Sequence, residues 1–295
     1  MEWKEAIEKQ FSERSLVKAI KRSKCSKSLG KGRSATLGVY KVCEDQRCTS
    51  CAALKLADYG ETEARIFKRV DRVVESGPFR DHVLRLIYSG QIRQSETYTL
   101  ITDLLPSRKN LGDISKTLNT TALKVLLIQI FETLAYIRKY VPGFVHMDLG
   151  HNVIMVPWKT KEYSKDVHIL TESLPCSFGG TWVLPPQTYW PILIDFGNSR
   201  TNEVPNDVLW GKYGDSYGCG KPSFDIYKLL TKLRSVNPKL IDTLMEWSFG
   251  SAKPVPLKFP YYDAEYQLPL AEGCALLGDI TYSDVLKHPE FRMFK

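Results

Sequence analysis

What this sequence lacks narrows it first. No uninterrupted apolar run approaches the roughly 20 residues needed to cross a bilayer, and Met1-Glu2-Trp3-Lys4-Glu5 is not the charged head and apolar body of a secretory signal. The chain is therefore expected to act inside the cell, in the cytoplasm or nucleus, with no membrane partner. Paired cysteines are missing too. The 7 cysteines, Cys25, Cys43, Cys48, Cys51, Cys176, Cys219 and Cys274, are odd in number and widely scattered, which argues against a secreted disulfide framework. Cys48 and Cys51, with Cys43 and Cys25, have the residue types of a zinc site. A zinc ribbon would bring a second closely spaced pair, however, and reduced cysteines in a hairpin are the competing reading. The composition, 43% hydrophobic and 25% charged, also lacks the bias of a disordered chain.

What is present is a chain of 295 residues with a formal charge of +8, long enough for one or two lobes with substantial cores. Part of the charge gathers in Lys18, Lys21, Arg22, Lys24, Lys27, Lys31 and Arg33. No recognition module accompanies it, so nucleic acid is not expected as a direct ligand. Solvated surface, or attraction of an acidic or nucleic-acid-associated protein substrate, accounts for it equally well. Trp3, Ile7, Phe11, Val17 and Ile20 recur at near-helical spacing, which predicts an amphipathic helix over the N-terminal extension, residues 1–28.

Chemistry-bearing residues then follow in order. Gly30 and Gly32 predict a turn at which backbone amides can approach a phosphate, followed by a strand at Val39-Tyr40-Lys41-Val42. Lys55 ends the apolar strand Cys51-Ala52-Ala53-Leu54, where a buried ammonium needs a partner. Glu63 is the expected partner, with Glu61 as the alternative. His82 to Tyr88 and Tyr98 to Thr102 read as two strands, joined by a polar turn around Ser89-Gly90 and Gln94-Ser95. Leu123, Leu126, Leu127, Ile130, Phe131, Leu134 and Ile137 form a helical stripe, with Thr121 as candidate cap and Pro142-Gly143 as terminator. Directly after it, Val145-His146-Met147-Asp148-Leu149-Gly150-His151-Asn152 sets a carboxylate and an amide in one short loop before the apolar run Val153 to Val156. Finally, the strand Pro191 to Ile194 delivers Asp195-Phe196-Gly197.

In this order the residues resemble the protein kinase-like superfamily: glycine turn, Val-Ala-Ile-Lys-type strand, helix glutamate, His-x-Asp loop with Asn, then Asp-Phe-Gly. The resemblance, from Leu29 onward, implies an α+β bilobal kinase-like fold. Residues 29–105 would form a small β-rich N-lobe with one helix, and 106–295 a larger, mainly helical C-lobe with an insertion at 157–190. It also implies ATP and Mg2+ (or Mn2+) as cofactors and transfer of the γ-phosphoryl group to Ser/Thr hydroxyls of a protein. By the same match Gly30, Gly32, Val39, Ala53, Lys55, the gatekeeper Thr102, the hinge residues Asp103 and Leu105, and Ile154 would contact nucleotide. Asp148 would orient the attacking hydroxyl, His146 would brace the loop, and Asn152 and Asp195 would hold the metal. Asp225, in Asp225-Ile226-Tyr227-Lys228, would tie down the loop from below, and Tyr282 to Phe291 resembles the last helix of many protein kinases.

Departures are equally legible. Ala35 takes the third glycine position, Met147 the arginine before Asp148, and Gly150 the lysine typical of serine/threonine kinases, which removes a cation near the transferred group. Asn152 is one residue closer to Asp148 than in most relatives. The insertion, with Gly179-Gly180 and Pro185-Pro186, the absence of an Ala-Pro-Glu triplet before Asp225, and Phe224 to Tyr227 resemble haspin-like kinases and kinases of large DNA viruses. Two other functions remain open: a pseudokinase scaffold, and a small-molecule phosphotransferase of the aminoglycoside or choline kinase type.

Overall fold

The computed structural model describes residues 28–31, 35–44, 47–58, 60–91, 97–103, 105, 109–150, 152–157, 172–186, 189–206, 220–251 and 277–295. The predicted N-terminal helix, Gly32, Leu104 and Pro106 lie outside them. The fold is α+β, and the chain divides into two compact units, one within Met1–Asp71 and Leu84–Pro106, the other within Arg72–Val83 and Ser107–Lys295. The second unit thus takes up residues 72–83, which the sequence had placed with the N-lobe.

The first unit is a five-stranded sheet in the order β1-β2-β3-β5-β4, from β1 (Ser28–Lys31), β2 (Ala35–Glu44), β3 (Arg47–Asp58), β4 (Leu86–Gln91) and β5 (Thr97–Asp103). All its pairs are antiparallel, and β3 lies at the centre, with Val39 and Thr102 flanking Ala53, and Leu37 and Leu100 flanking Lys55. Gly30 sits within β1, opposite Leu37, not in a turn as expected. Helix α1 (Glu61–Val74) follows β3, with Glu61 and Glu63 in its first turn, where acidic side chains complement the helix dipole. Its Ile66, Phe67, Val70 and Val74 are buried at helical spacing. Gly60 is needed before it, because a Cβ there would come within 2.7 Å of the Cβ of Tyr98.

Two expectations fail here. The strand predicted from His82 begins only at Leu86, since Arg80–His82 forms a 3-10 turn in the second unit. There the His82 ring stacks on Trp190 at 4.2 Å, and its Nδ1 lies 3.1 Å from the Pro191 carbonyl. Ser89 and Gly90 do not turn the chain either, and the Gln94-Ser95 part of the same expectation lies outside the described residues. Ser89 and Gly90 lie in β4 opposite Leu100 and Thr99, because residues with turn propensity are tolerated in a strand at the edge of a sheet.

The second unit is built on α3 (Thr120–Tyr140), which follows a short α2 (Leu111–Ile114). Asn119, not Thr121, caps it, accepting from the Ala122 amide at 2.8 Å. By length and composition alone α3 could cross a membrane, but 67% of its most apolar window is buried inside the protein, as befits a core helix. The carboxyl side contributes α4 (Pro222–Leu233), α5 (Pro238–Phe249) and α6 (Tyr282–Leu286). The predicted last helix ends early. His288 is extended, as the residue before a proline tends to be, and a 3-10 segment Pro289–Phe294 replaces the helix.

Strands β6 (Val153–Pro157) and β9 (Tyr189–Leu193) pair antiparallel, with Val153 opposite Leu193 and Pro157 opposite Tyr189. Between them the insertion contains an ordered hairpin, β7 (Glu172–Pro175) and β8 (Thr181–Leu184), turned at Gly179 and Gly180, both with positive φ. A buried carboxylate on α3 holds the hairpin: Glu132 accepts from the Trp182 indole at 2.6 Å and from the Ser177 amide at 3.0 Å. Burial pushes the Glu132 pKa up, and the bonds from Trp182 and Ser177 pull it partway back.

The folded protein therefore holds this proton more tightly than the unfolded chain, and the group's contribution to stability falls as pH rises through and beyond its ordinary value of about 4.5. Glu132→Gln has no such titration. In urea denaturation the stability of the wild type relative to Glu132→Gln should decline between pH 4 and pH 7, and a difference independent of pH would refute the assignment.

Candidate functional site

In the first unit the Lys55 ammonium bonds the Glu63 carboxylate at 2.8 Å, with side chains 17% and 6% exposed. The alternative partner, Glu61, is exposed. A mostly buried ammonium bonded to a carboxylate is held in one direction. Ala53 and Thr102 lie opposite each other on β3 and β5, Ala53 half-buried and Thr102 buried. Asp103 ends β5 and Leu105 is half-buried beyond it. Val39 lies opposite Ala53, on β2.

In the second unit the loop from His146 to Asn152 is held from four directions. Asp225, fully buried on α4, accepts from the His146 amide through Oδ2 and from the Met147 amide through Oδ1, each at 2.8 Å. The Tyr282 hydroxyl donates to Oδ2 at 2.8 Å. Burial raises the Asp225 pKa, and the hydrogen bonds from Tyr282 and from the His146 and Met147 amides oppose it. Met147 has φ +66, a left-handed conformation that an unbranched side chain adopts at some cost. His146 is buried, with Nε2 3.0 Å from the Ile194 carbonyl and Nδ1 accepting from the Asp148 amide at 3.4 Å. The neutral tautomer protonated at Nε2 satisfies both. The same ring packs 5.4 Å from that of Phe196.

Asp148 is the centre of the resulting cluster. Its Oδ2 accepts from Asn152 Nδ2 at 2.8 Å and from Asn198 Nδ2 at 3.0 Å, while its Oδ1 pairs with the Lys228 ammonium. A carboxylate has about four lone-pair sites, so three donors hold it rigidly and leave capacity for a hydroxyl. The Asn152 carbonyl accepts from the Ile194 amide at 3.0 Å, extending the β6–β9 register to the residue before Asp195. Asp195 itself has φ +59 and ψ +78 and accepts from the Gly197 amide at 3.4 Å. Ile154, the remaining expected contact, is half-buried on β6 opposite Ile192.

The donor set suits a hard cation. Asn152 spends its side-chain N–H end on Asp148, which turns its side-chain Oδ1, distinct from the backbone oxygen bonded to Ile194, toward use by a metal, and Asp195 adds carboxylate oxygens. Mg2+ or Mn2+ takes such oxygens together with phosphate and water, and no sulfur or imidazole ligand is required. Among the described residues no three His, Cys, Asp or Glu side chains cluster as metal ligands. The zinc question lies outside them, because nothing is described of Cys25 or of the Cys43, Cys48 and Cys51 side chains. A cavity of about 300 Å³ lies elsewhere in the second unit, lined by Asn119, Leu126, Gln129, Met155 and Tyr189, with no member of the Asp148 cluster in its wall.

Three residues here escape a reading of the sequence: Asn198, Lys228 and Tyr282. Asn198 sits one residue past Asp195-Phe196-Gly197, a proximity that offers a weak signal. Tyr282 lies 57 positions from Asp225 and offers none.

No family model and no curated protein matches the chain. Among solved structures it is similar to a crystal structure of a kinase domain, at 12% identity and a TM-score of 0.44, with 91% of this chain and 88% of that chain covered. A likeness at that level carries no argument about activity, which rests on the geometry above.

Tyr282→Phe deletes one donor to a buried carboxylate while keeping the ring. It should destabilise the protein by roughly 1–3 kcal/mol, read as a lower melting temperature. An unchanged melt would remove Tyr282 from the support of the loop.

Proposed function

We propose that the chain is a phosphotransferase that moves the γ-phosphoryl group of ATP, with Mg2+ or Mn2+, to Ser/Thr hydroxyls of a protein substrate. The observation that carries this reading is the bond from Asn152 to Asp148 while the Asn152 backbone pairs beside Asp195. It gathers an oriented carboxylate and two hard-oxygen side chains in one short region of the second unit. Such a set suits phosphoryl transfer, in which positioning and electrostatic stabilisation supply most of the catalysis.

In this reading the Asp148 carboxylate orients the substrate hydroxyl and takes its proton as the oxygen attacks phosphorus. Asn152 and Asn198 hold that carboxylate in place. Asn152 and Asp195 would hold the metal, which when bound neutralises phosphate charge. Lys55, kept in line by Glu63, would bind ATP phosphates, and Val39, Ala53, Thr102, Asp103 and Leu105 of the first unit would contact the nucleotide. The proposed substrate is a protein of acidic or nucleic-acid-associated character, consistent with the +8 charge. The insertion at 157–190 and Phe224 to Tyr227 resemble haspin-like and large-DNA-virus kinases, and on that sequence resemblance we place the chain near them.

Incubation with radiolabelled ATP, Mg2+ and acidic or basic test proteins checks the reading. Wild type should label protein, and Asp148→Asn should lose roughly 100-fold or more of that rate while ATP with Mg2+ still raises its melting temperature. Equal labelling by both proteins would sink the assignment. Labelling of a free hydroxyl compound and of no protein would move it to the small-molecule class.

A second prediction concerns the metal. Asn152→Ala should raise the Mg2+ concentration needed for half-maximal rate by roughly tenfold, measured by titration at saturating ATP. An unshifted midpoint would take Asn152 out of the metal set.

A further inference from the structure

The loop that carries Asp148, residues 146–152, contains no lysine or arginine. Gly150 has φ +119, a conformation strained for any residue with a side chain, and a Cβ built on it would rest against the stem of Lys232 at 3.7 Å. Yet an ammonium does reach the catalytic carboxylate, from α4. The Lys228 Nζ pairs with Asp148 Oδ1 and donates to the Met147 carbonyl at 3.2 Å, with its side chain 21% exposed. Lys228 lies three residues after Asp225, so both project from one face of the helix. That face therefore supplies two things to the same loop: acceptors for the Met147 and His146 amides, and a positive charge for the Asp148 side chain.

We propose that Lys228 is the electrostatic stabiliser of the transferred phosphoryl group, a role that the loop itself cannot fill at Gly150. The proposal rests on the phosphotransferase reading. In the step concerned, the substrate hydroxyl oxygen forms a bond to the γ-phosphorus and its proton passes to Asp148. The bond from phosphorus to the bridging oxygen breaks, and its electron pair leaves with the diphosphate. Negative charge spreads over the equatorial phosphoryl oxygens as this happens, and a fixed cation beside the attacking group stabilises that state more than the ground state. Lys228 donates no proton in the step. Its two bonds to the loop fix where its charge sits, so little reorganisation is needed when the charge develops.

Three variants of the full chain separate charge from bracing. Lys228→Gln keeps an N–H donor, one bond shorter, without the charge, Lys228→Met removes both, and Lys228→Arg keeps both. Phosphoryl transfer from labelled ATP with Mg2+ should fall roughly 100-fold or more in kcat for the Gln and Met variants, with KM for ATP within about threefold of wild type. The Arg variant should retain at least about a tenth of the wild-type kcat. Melting temperatures, with and without ADP and Mg2+, identify any variant that has lost its fold. A folded Lys228→Gln with wild-type kcat would make Lys228 a brace only and overturn the proposal, as would a folded Lys228→Arg as inactive as Lys228→Met. If wild type transfers nothing to any hydroxyl, the phosphotransferase reading fails and this inference falls with it. If wild type transfers and the uncharged variants match it, this inference alone is wrong.

Discussion

The second unit depends on one buried charge. Asp225 is wholly removed from solvent, which for an isolated carboxylate would cost several kcal/mol or more. Its acceptor capacity is instead taken up by two consecutive loop amides and the Tyr282 hydroxyl. The two amides point at one carboxylate because Met147 is in the left-handed region, a strain of roughly 1–3 kcal/mol that persists only where the surroundings over-determine it. Each side of this arrangement requires the other: the loop needs the carboxylate to hold its conformation, and the buried carboxylate needs the loop as donor. Tyr282 brings the carboxyl-terminal helix α6 into the same network.

A second constraint acts from the strands. Pairing of β6 with β9 continues into the bond between the Asn152 carbonyl and the Ile194 amide. His146, reaching the Ile194 carbonyl, ties the start of the loop to the same residue. The loop is thus clamped to one short stretch at both ends, and the spacing between Asp148, Asn152 and Asp195 follows from backbone geometry. The shortened distance between Asp148 and Asn152 in the sequence does not pull the pair apart, since Gly150 turns tightly enough at φ +119 to leave the two side chains 2.8 Å apart.

Much of this was legible in the sequence, for identifiable reasons. Lys55 with Glu63, and Asp148 with Asn152, are joined by contacts four or eight residues apart, and short spacings carry geometry directly. Helix α3 announces itself by its period. The failures are of other kinds. Ser89 and Gly90 are turn residues placed in a strand by pairing with β5, a tertiary effect that overrides local propensity. His82 leads into the apolar pair Val83-Leu84 and so reads as the start of a strand, yet it is drawn into the second unit by Trp190 and Pro191, more than 100 positions away. Lys228 reads as an ordinary solvated helix charge. Only its place on the same face as Asp225, set beside the missing loop cation, could have marked it.

The β6–β9 ladder also settles what the long insertion costs the protein. Because Pro157 faces Tyr189 across that ladder, everything from 158 to 188 leaves and returns at a single closed point. Extra length in a loop closed this way raises its closure entropy only slowly. The hairpin within it is anchored to α3 through Glu132, at a place apart from the Asp148 cluster. Its tip also reaches α6, where the Ser177 and Ser283 hydroxyls lie 2.6 Å apart, one residue from Tyr282. Length can be added to the insertion at little entropic cost, while the hairpin within it stays joined to α3 through Glu132 and to α6 through Ser283.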